Sequence, residues 1–321
     1  MFRRFGKLTA AVAAAATIWG GAAAAADYPH DTVTLVTHSR SGGGTDVFLR
    51  EMVKFLGPAM GVSFVVENVR GGSGAKAMAK LASSPADGSI YYGTTPTFIN
   101  TSLLVELESD WTALEGVVNV FLDPQIVYVA ADSPFQSLTD LVEASKADPK
   151  SVRFGVTTPG SLDRQVMEQF KAETGTDSPI ITHDGGGELL ISVLNGTVSV
   201  GIGEIQELTA QLEAGEVRII TTYTEARLDT FPDVPTAQEQ GYDLVINKFR
   251  GIAGPKGLPN DVKAMMLAGI EKVLADPAFK AWYEAQSLVP TVIPAAEYDA
   301  FLAAFAEEQK AFFTKYGITK D

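Results

Sequence analysis

Three times within the first 175 residues, a short apolar run leads into a loop of small residues and then into an amphipathic segment. Residues 33–37, with Val33, Leu35 and Val36, predict a strand. The chain then passes through Ser39, Arg40, Ser41, Gly42, Gly43, Gly44 and Thr45. From Asp46 to about residue 56, Phe48, Met52 and Phe55 recur at helical spacing beside Leu49, Val53 and Leu56, and Gly57 with Pro58 is the expected stop. The second unit is a strand over 62–67, a loop holding Asn68, Arg70, Gly71, Gly72, Ser73 and Gly74, and a helix over 75–82. The third is a strand over 152–156, a loop of Thr157, Thr158, Pro159, Gly160 and Ser161, and a helix to about residue 172. At such a junction the first-turn N–H groups have no partner inside the helix, and the macrodipole adds partial positive charge, so the junction suits an anion. Ser39, Ser41 and Thr45 add hydroxyl donors, and Arg40 adds a full charge.

The alternation continues beyond these units. Residues 90–93 read as a strand followed by a polar loop of Thr94, Thr95, Pro96 and Thr97. Strands are expected over 125–130, 179–183, 198–202 and 217–222. Asp184 and Gly185 open a helix that runs to Asn195, and Gly203 and Glu204 close the strand before the next helix. Phe231, Pro232, Pro235 and Thr236 break the pattern, after which 249–255 read as a strand returning to the first sheet. The remainder reads as helical, over 259–274, 277–286 and 295–316. Strands ending in hydroxyl-bearing loops, in two successive sets, predict an α/β chain of two lobes with a crevice between them.

Residues 1–26 stand outside this pattern. Arg3, Arg4 and Lys7 precede an alanine-rich apolar stretch and an Ala24-Ala25-Ala26 cleavage signal, so this segment reads as a signal peptide removed before Asp27. The chain holds 321 residues with a formal net charge of −14, and losing three basic residues with the leader takes it to about −17. Such a balance repels phosphates and anionic lipid, which argues against nucleic acid and membrane surfaces as partners. There is no cysteine, hence no disulfide, thiol chemistry or lipid-anchored cysteine.

Candidate chemistry is sparse. Ser41-Gly42-Gly43-Gly44-Thr45 is not a GxGxxG fingerprint, and no Gly-Lys-Ser/Thr follows it, so neither a dinucleotide nor a P-loop phosphate is indicated. No G-x-S-x-G surrounds a serine, and only His30, His38 and His183 could serve as a base. A metal would have to gather His38 and His183 with Asp184 or Glu204, all at expected strand ends but without close ligand spacing. Asp46 either caps its helix, the preferred reading, or meets a ligand. Arg40 either pairs with an acid or reaches a ligand carboxylate. Glu204 and Asp184, if they line the crevice, accept hydrogen bonds from ligand hydroxyl or ammonium groups.

The whole chain after residue 27 resembles the solute-binding proteins of tripartite tricarboxylate transporters, the TctC or Bug family. The resemblance rests on Tyr28-Pro29, Ser41-Gly42-Gly43-Gly44-Thr45-Asp46, Val66-Glu67-Asn68, Gly71-Gly72-Ser73-Gly74 and Pro85-Ala86-Asp87-Gly88. It continues through Asn195-Gly196, Ala214-Gly215, Arg227, Val234-Pro235-Thr236, Glu239, Gly241, Arg250-Gly251 and the run from Gly254 to Pro259. It implies a type II-like periplasmic-binding-protein (Venus flytrap) fold, α/β, with mixed sheets flanked by helices. The lobes would comprise residues 27–126 plus 245–321, and 127–244. It also implies a non-enzymatic periplasmic protein, a monomer without cofactor or bound metal, that captures a small carboxylate and delivers it to a membrane permease. In such a protein the carboxylate is held by loops equivalent to 41–45 and 158–161. The expected ligand-binding residues are thus Ser39, Arg40, Ser41, Gly42, Gly43, Thr45, Thr95, Thr158, Gly160, Ser161, His183, Asp184 and Glu204. Thr182-His183-Asp184-Gly185 replaces a usual Pro-Tyr-Lys-Gly-like stretch, and Glu204 stands where an Asp or another polar residue is common. The alternatives are an exported hydrolase or lyase acting on a carboxylate through His183 with Asp184 or Glu204, and a receptor for a metal or cationic solute.

Overall fold

The computed structural model describes residues 28–318, so the expected leader at 1–26 lies outside the described residues. In chain order, strand β1 (Thr32–Thr37) leads to helix α1 (Gly44–Met60), β2 (Ser63–Asn68) to α2 (Ala75–Ala82), and β3 (Ile90–Thr94) to α3 (Pro96–Leu104). Strand β4 (Leu114–Pro124) continues almost directly into β5 (Ile126–Ala130). There follow α4 (Leu138–Ala147), β6 (Phe154–Val156), α5 (Leu162–Thr174), β7 (Ile180–Thr182), α6 (Gly186–Leu194), β8 (Val200–Gly203), α7 (Ile205–Glu213) and β9 (Val217–Thr222). The chain closes with β10 (Asn247–Pro255), α8 (Asn260–Ala275), α9 (Pro277–Ala285), β11 (Val289–Pro294) and α10 (Ala295–Lys315).

Two mixed sheets result. One has strand order β11-β4-β10-β3-β1-β2 and the other β7-β6-β8-β5-β9. Each sheet is covered on both faces, and the period of two along its strands decides which side chain goes where. Val33, Leu35 and Tyr91 enter the layer under α1, α8 and α9 with Phe48, Met52, Met266 and Phe279. Val36 and Tyr92 enter the opposite layer with Met78, Phe98, Tyr298 and Leu302. In the second sheet Val127 and Val129 face α4 and α5, whereas Ile126 and Tyr128 face α6 and α7. Full burial of each such side chain contributes about 1.5–3 kcal/mol, so both lobes carry cores of their own. Tyr92, Phe98 and Phe249 are wholly buried in one of these layers.

The sheets are joined at two crossings. One is the passage from Pro124 to Ile126. The other is the entry to β10, and the two are tied where Tyr223 N–H donates to the Gln125 carbonyl (2.9 Å) and Ile246 N–H to the Tyr223 carbonyl (2.8 Å). β1, β2 and β3 run parallel, as do β6, β7 and β8. Three strand carboxyl ends therefore open on one edge of each sheet. In both sheets the chain builds outward from a middle strand in both directions, β1 between β2 and β3 and β6 between β7 and β8, which leaves a crevice at each switch point.

Several elements differ from the sequence expectation. Helix α1 begins two residues earlier, at Gly44, and runs through Gly57 and Pro58. Pro58, in the last turn, leaves the Lys54 carbonyl without its helical N–H partner, and Gly61 at φ 69° closes the helix by donating to the Gly57 carbonyl. Thr97 is helical in α3, because Pro96 stands at its first turn, where the missing N–H costs nothing. The long strand β4 had no periodic signature, since both its faces are buried. The C-terminal region is not all helical: β11, with prolines at 290 and 294, pairs only with β4 at the sheet edge and breaks register between Pro290 and Ile293.

Candidate functional site

The loop after β1 is pinned before it can serve anything else. Asp46, 1% exposed, accepts from Gly42 N–H (2.9 Å), Arg50 Nε (2.9 Å) and Asn68 Nδ2 (2.7 Å). Burial raises its pKa, but these three donors outweigh that and hold the carboxyl below its ordinary range. Asn68 also donates to the Ser39 carbonyl (2.9 Å), so the end of β2 fixes the loop after β1. Asp46 is thus a structural clamp.

The loops of the two sheets meet around two joined chambers that share His38, Thr158 and Asp184. The inner one, about 50 Å3, has room for a few waters. Ser39, Gly43, Thr45, Thr95 and Thr97 line it from one lobe, and Thr157, Thr158, Gly186, Glu204 and Glu207 from the other. Lys248 forms part of its floor. The outer chamber, about 520 Å3, is large enough for a small organic molecule. Arg70, Gly71, Gly72, Ser73 and Gly74 face Thr158, Pro159, Thr182 and His183 across it. The turn at 71–74 has positive φ angles throughout, Ser73 included at 48°, a left-handed course that three glycines make possible.

Beneath the inner chamber lies a buried ion cluster that the sequence reading did not assemble. Glu204, at the N-terminus of α7, is held by Lys248 Nζ, by Gln125 Nε2 at 2.7 Å and by Arg250 Nη2 at 3.5 Å. Arg250, wholly buried, pairs through Nε with Asp123 and donates through Nη1 to Thr45 Oγ1 at 3.0 Å. Gln206 Nε2 also donates to Asp123 (2.7 Å). Burial alone would raise the Glu204 pKa, yet Lys248 and Arg250 bring it down to about 2. For Asp123 burial wins over Arg250 and pushes the carboxyl up to about 6. Burial lowers His38 to about 4, with Lys248 and Arg250 adding to the effect, so it is neutral at pH 7 with Nδ1 2.6 Å from the Tyr92 hydroxyl.

The expected site residues divide clearly. Ser39, Gly43, Thr45, Thr95, Thr158, His183, Asp184 and Glu204 line the chambers. Ser41 and Gly42 do not: both are exposed, because the Asp46 clamp turns Gly42 N–H inward to its own helix. Gly160 and Ser161 also lie off the two chambers. Gly160 packs on Thr101 of α3, where a Cβ would come within 2.6 Å of Thr101 Oγ1, and Ser161 Oγ accepts from Arg164 N–H as the cap of α5. Arg40 spends its charge on Asp184 across the crevice (2.5 Å), joined by Arg70 (2.9 Å). Hydrogen bonding from Arg40 keeps the Asp184 carboxyl below its ordinary range. Glu204 is not free to accept from a ligand cation, because Lys248 and Arg250 already match it.

His183 Nδ1 lies 3.2 Å from the Val156 carbonyl oxygen, and His38 is engaged with Tyr92. Among the described residues no three His, Asp or Glu side chains converge in metal-holding geometry. Among them, too, no helix is long and apolar enough to cross a membrane. The missed members, Asp123, Glu207, Lys248 and Arg250, had one faint signal. Lys248 and Arg250 stand two apart in an apolar strand and therefore share a face, and Glu204-x-x-Glu207 has the spacing of a helix-start capping box.

Residues 49–318 match the model of the tripartite tricarboxylate transporter family receptor, TctC. Protein BugT of Bordetella pertussis is 26% identical over 283 residues, 86% of each chain. Two solved structures superpose closely. Rpa4515 of Rhodopseudomonas palustris, solved with adipate, has a TM-score of 0.87 at 25% identity, covering 92% of this chain and all of that one. The periplasmic binding protein BugD has a TM-score of 0.86 at 22% identity, with the same coverage.

Proposed function

The chain belongs to the tripartite tricarboxylate transporter receptor family, and from that premise we propose that it captures a small organic carboxylate between its lobes for delivery to a membrane permease. The family and the superposed structures are binding proteins rather than enzymes. The observation that carries the reading is the pair of joined chambers where six strand ends from two sheets converge. Their walls supply hydroxyls and backbone N–H groups from both lobes. The adipate held by Rpa4515 of Rhodopseudomonas palustris supports the same ligand class here.

The ligand carboxylate is best served in the outer chamber. There the glycine-rich turn at 71–74 belongs to one lobe, and Thr158 and His183 to the other. Ser39, Gly43, Thr45 and Thr95 then receive the rest of the ligand in the inner chamber. Because these groups meet only when the lobes approach, ligand binding favours the closed arrangement over an open one. The hinge lies at the two crossings, which divides the lobes at about residues 126 and 245. The closed surface is then what the permease reads. Residues 1–26 act as an export signal, and the released protein works in the periplasm as a monomer.

A thermal-shift panel of small mono-, di- and tricarboxylates and divalent metals, with and without chelator, tests this. Ligand at about 100 times its dissociation constant stabilises by about 2.7 kcal/mol. A carboxylate-specific shift that chelator leaves intact is expected. No shift with any acid, or shifts with metals alone, would overturn the reading.

A further inference from the structure

Glu207 belongs to the second lobe, yet its Oε1 accepts the N–H of Gly44, the first residue of α1 in the other lobe, at 2.7 Å. Two glycines of its own lobe press on the same carboxyl. A Cβ at Gly186 would lie 2.3 Å from Oε1, and one at Gly203 would lie 2.9 Å from Oε2. Little space is left there for water, and the charges around the group do not balance. Asp123 of β4, Asp163 of α5 and Glu204 at the start of α7 share this buried region with Glu207. The cations that reach them, among the described residues, are Lys248 and Arg250 of β10. Lys248 is matched to Glu204, and Arg250 to Asp123 and Glu204. Asp163, 1% exposed, accepts from the Thr157 N–H and hydroxyl within its own lobe, and its Oδ1 has no partner. The other neighbours bring no positive charge. Burial keeps the Tyr128 phenol of β5 and the His38 imidazole neutral, and Arg40 is taken up by Asp184 and Glu188.

Four carboxyls thus face two cations, and a buried carboxylate without a match is too costly to keep its charge. Burial and the neighbouring Glu204 push the Glu207 carboxyl well above its ordinary range, against the pull of Lys248 and of the Gly44 N–H. That burial depends on the lobes being together, because Ser39, Gly44 and Thr45 close the chamber from the other lobe. Parting them lets water reach Glu207 and returns its carboxyl toward the ordinary 4.5. We propose that closing the lobes on a ligand takes up a proton from solvent at Glu207, so that ligand capture tightens as pH falls. This rests on the carboxylate-receptor reading above. The proton sits on Oε2, since Oε1 accepts from Gly44, and it returns to solvent on opening. Because the closed value lies above the open one, capture is tightest below about pH 4.5. It weakens as pH rises from there to the closed value, by up to about tenfold per pH unit.

Calorimetric titration of the protein from residue 27 onward at pH 6, in MES and in Bis-Tris, counts the protons, because the two buffers differ in ionisation enthalpy. The probes are adipate, malate and benzoate, followed by the remaining acids of the thermal-shift panel if these fail. Corrected for ionisation of the acid itself, the wild type should take up about half a proton or more per ligand bound. Glu207→Gln keeps an oxygen to accept the Gly44 N–H but cannot titrate, so its uptake should vanish, with folding verified by a thermal melt. Between pH 6 and pH 7.5 the wild-type affinity should also fall at least about threefold more than that of the variant. Wild-type uptake below that half proton would overturn the inference whether or not the variant folds. So would uptake that survives in Glu207→Gln, which would trace it to His183 or to the ligand. Should the variant not fold, the infrared band of a protonated carboxyl must grow when the wild type binds its ligand, and no growth would overturn the inference. In each of these cases the receptor reading stands. Failure of every acid to bind the wild type would instead sink the receptor reading, and this inference with it.

Discussion

Lys248→Met tests the ion cluster on which the crevice is built. Methionine keeps the length and apolar stem of lysine but removes the cation beside Glu204, a carboxylate only 3% exposed. Breaking a buried pair from one side typically costs about 3–5 kcal/mol, because the remaining charge has no match. The titration behaviour leads to a similar size. Holding Glu204 at about 2 rather than at its ordinary 4.5 corresponds to about 3 kcal/mol, the net of burial against Lys248, Arg250 and Gln125. Because the folded pKa lies below the unfolded one, this stabilisation is present above about pH 4.5 and disappears as pH falls from there through about 2. Urea unfolding at pH 7 and pH 4 should show a large loss for Lys248→Met at the higher pH and a smaller one at the lower. Adding Glu204→Gln removes the unmatched charge and should recover most of the loss, a coupling that a double-mutant cycle reads directly. A loss below about 1 kcal/mol at pH 7, the range of an exposed pair, would refute the reasoning. So would a Glu204→Gln change that deepens the loss.

Other expectations follow from single contacts. Asp46→Asn unpairs part of the loop clamp and should cost about 1–3 kcal/mol in urea unfolding at pH 7. The gap to wild type should close as pH falls through the carboxylate range, since Asp46 titrates below its ordinary value. Gly44→Ala places a Cβ 2.4 Å from Arg250 Nη2 and 2.7 Å from Glu204 Oε2, and both side chains are fully packed. It should lower stability by about 1–3 kcal/mol and abolish the ligand-induced thermal shift. Asp184→Asn cuts the Arg40 and Arg70 bridge between the lobes while leaving both cores intact. Small-angle scattering should show a larger radius of gyration for the ligand-free variant than for wild type; an unchanged radius would mean that the bridge does not hold the lobes together.

How far the sequence revealed this molecule depended on the range of the interaction. Local periodicity was legible: α2 spans the residues expected of it, and the loops after β1, β2 and β6 stand at the crevice as strand–loop–helix chemistry implies. The α/β two-lobed architecture followed from the repeated alternation. β4 and β11 escaped because one is apolar on both faces and the other is a proline-bearing edge. The ion cluster escaped for a different reason. Asp123, Glu204 and Arg250 lie 46 or more positions apart, and only the return of β10 alongside β4 places Lys248 opposite Asp123. Glu207 looked like an ordinary helix-start acid, and its reach to Gly44 across the crevice exists only once the lobes face one another.

The central claim is that one small carboxylate bridges both lobes within the joined chambers. A crystal structure of the protein with the strongest hit of the acid panel tests it most directly. Density for the acid between the 71–74 turn and Thr158, touching groups of both lobes, is the expected result. An acid lying on one lobe alone, or outside the crevice, would contradict the account.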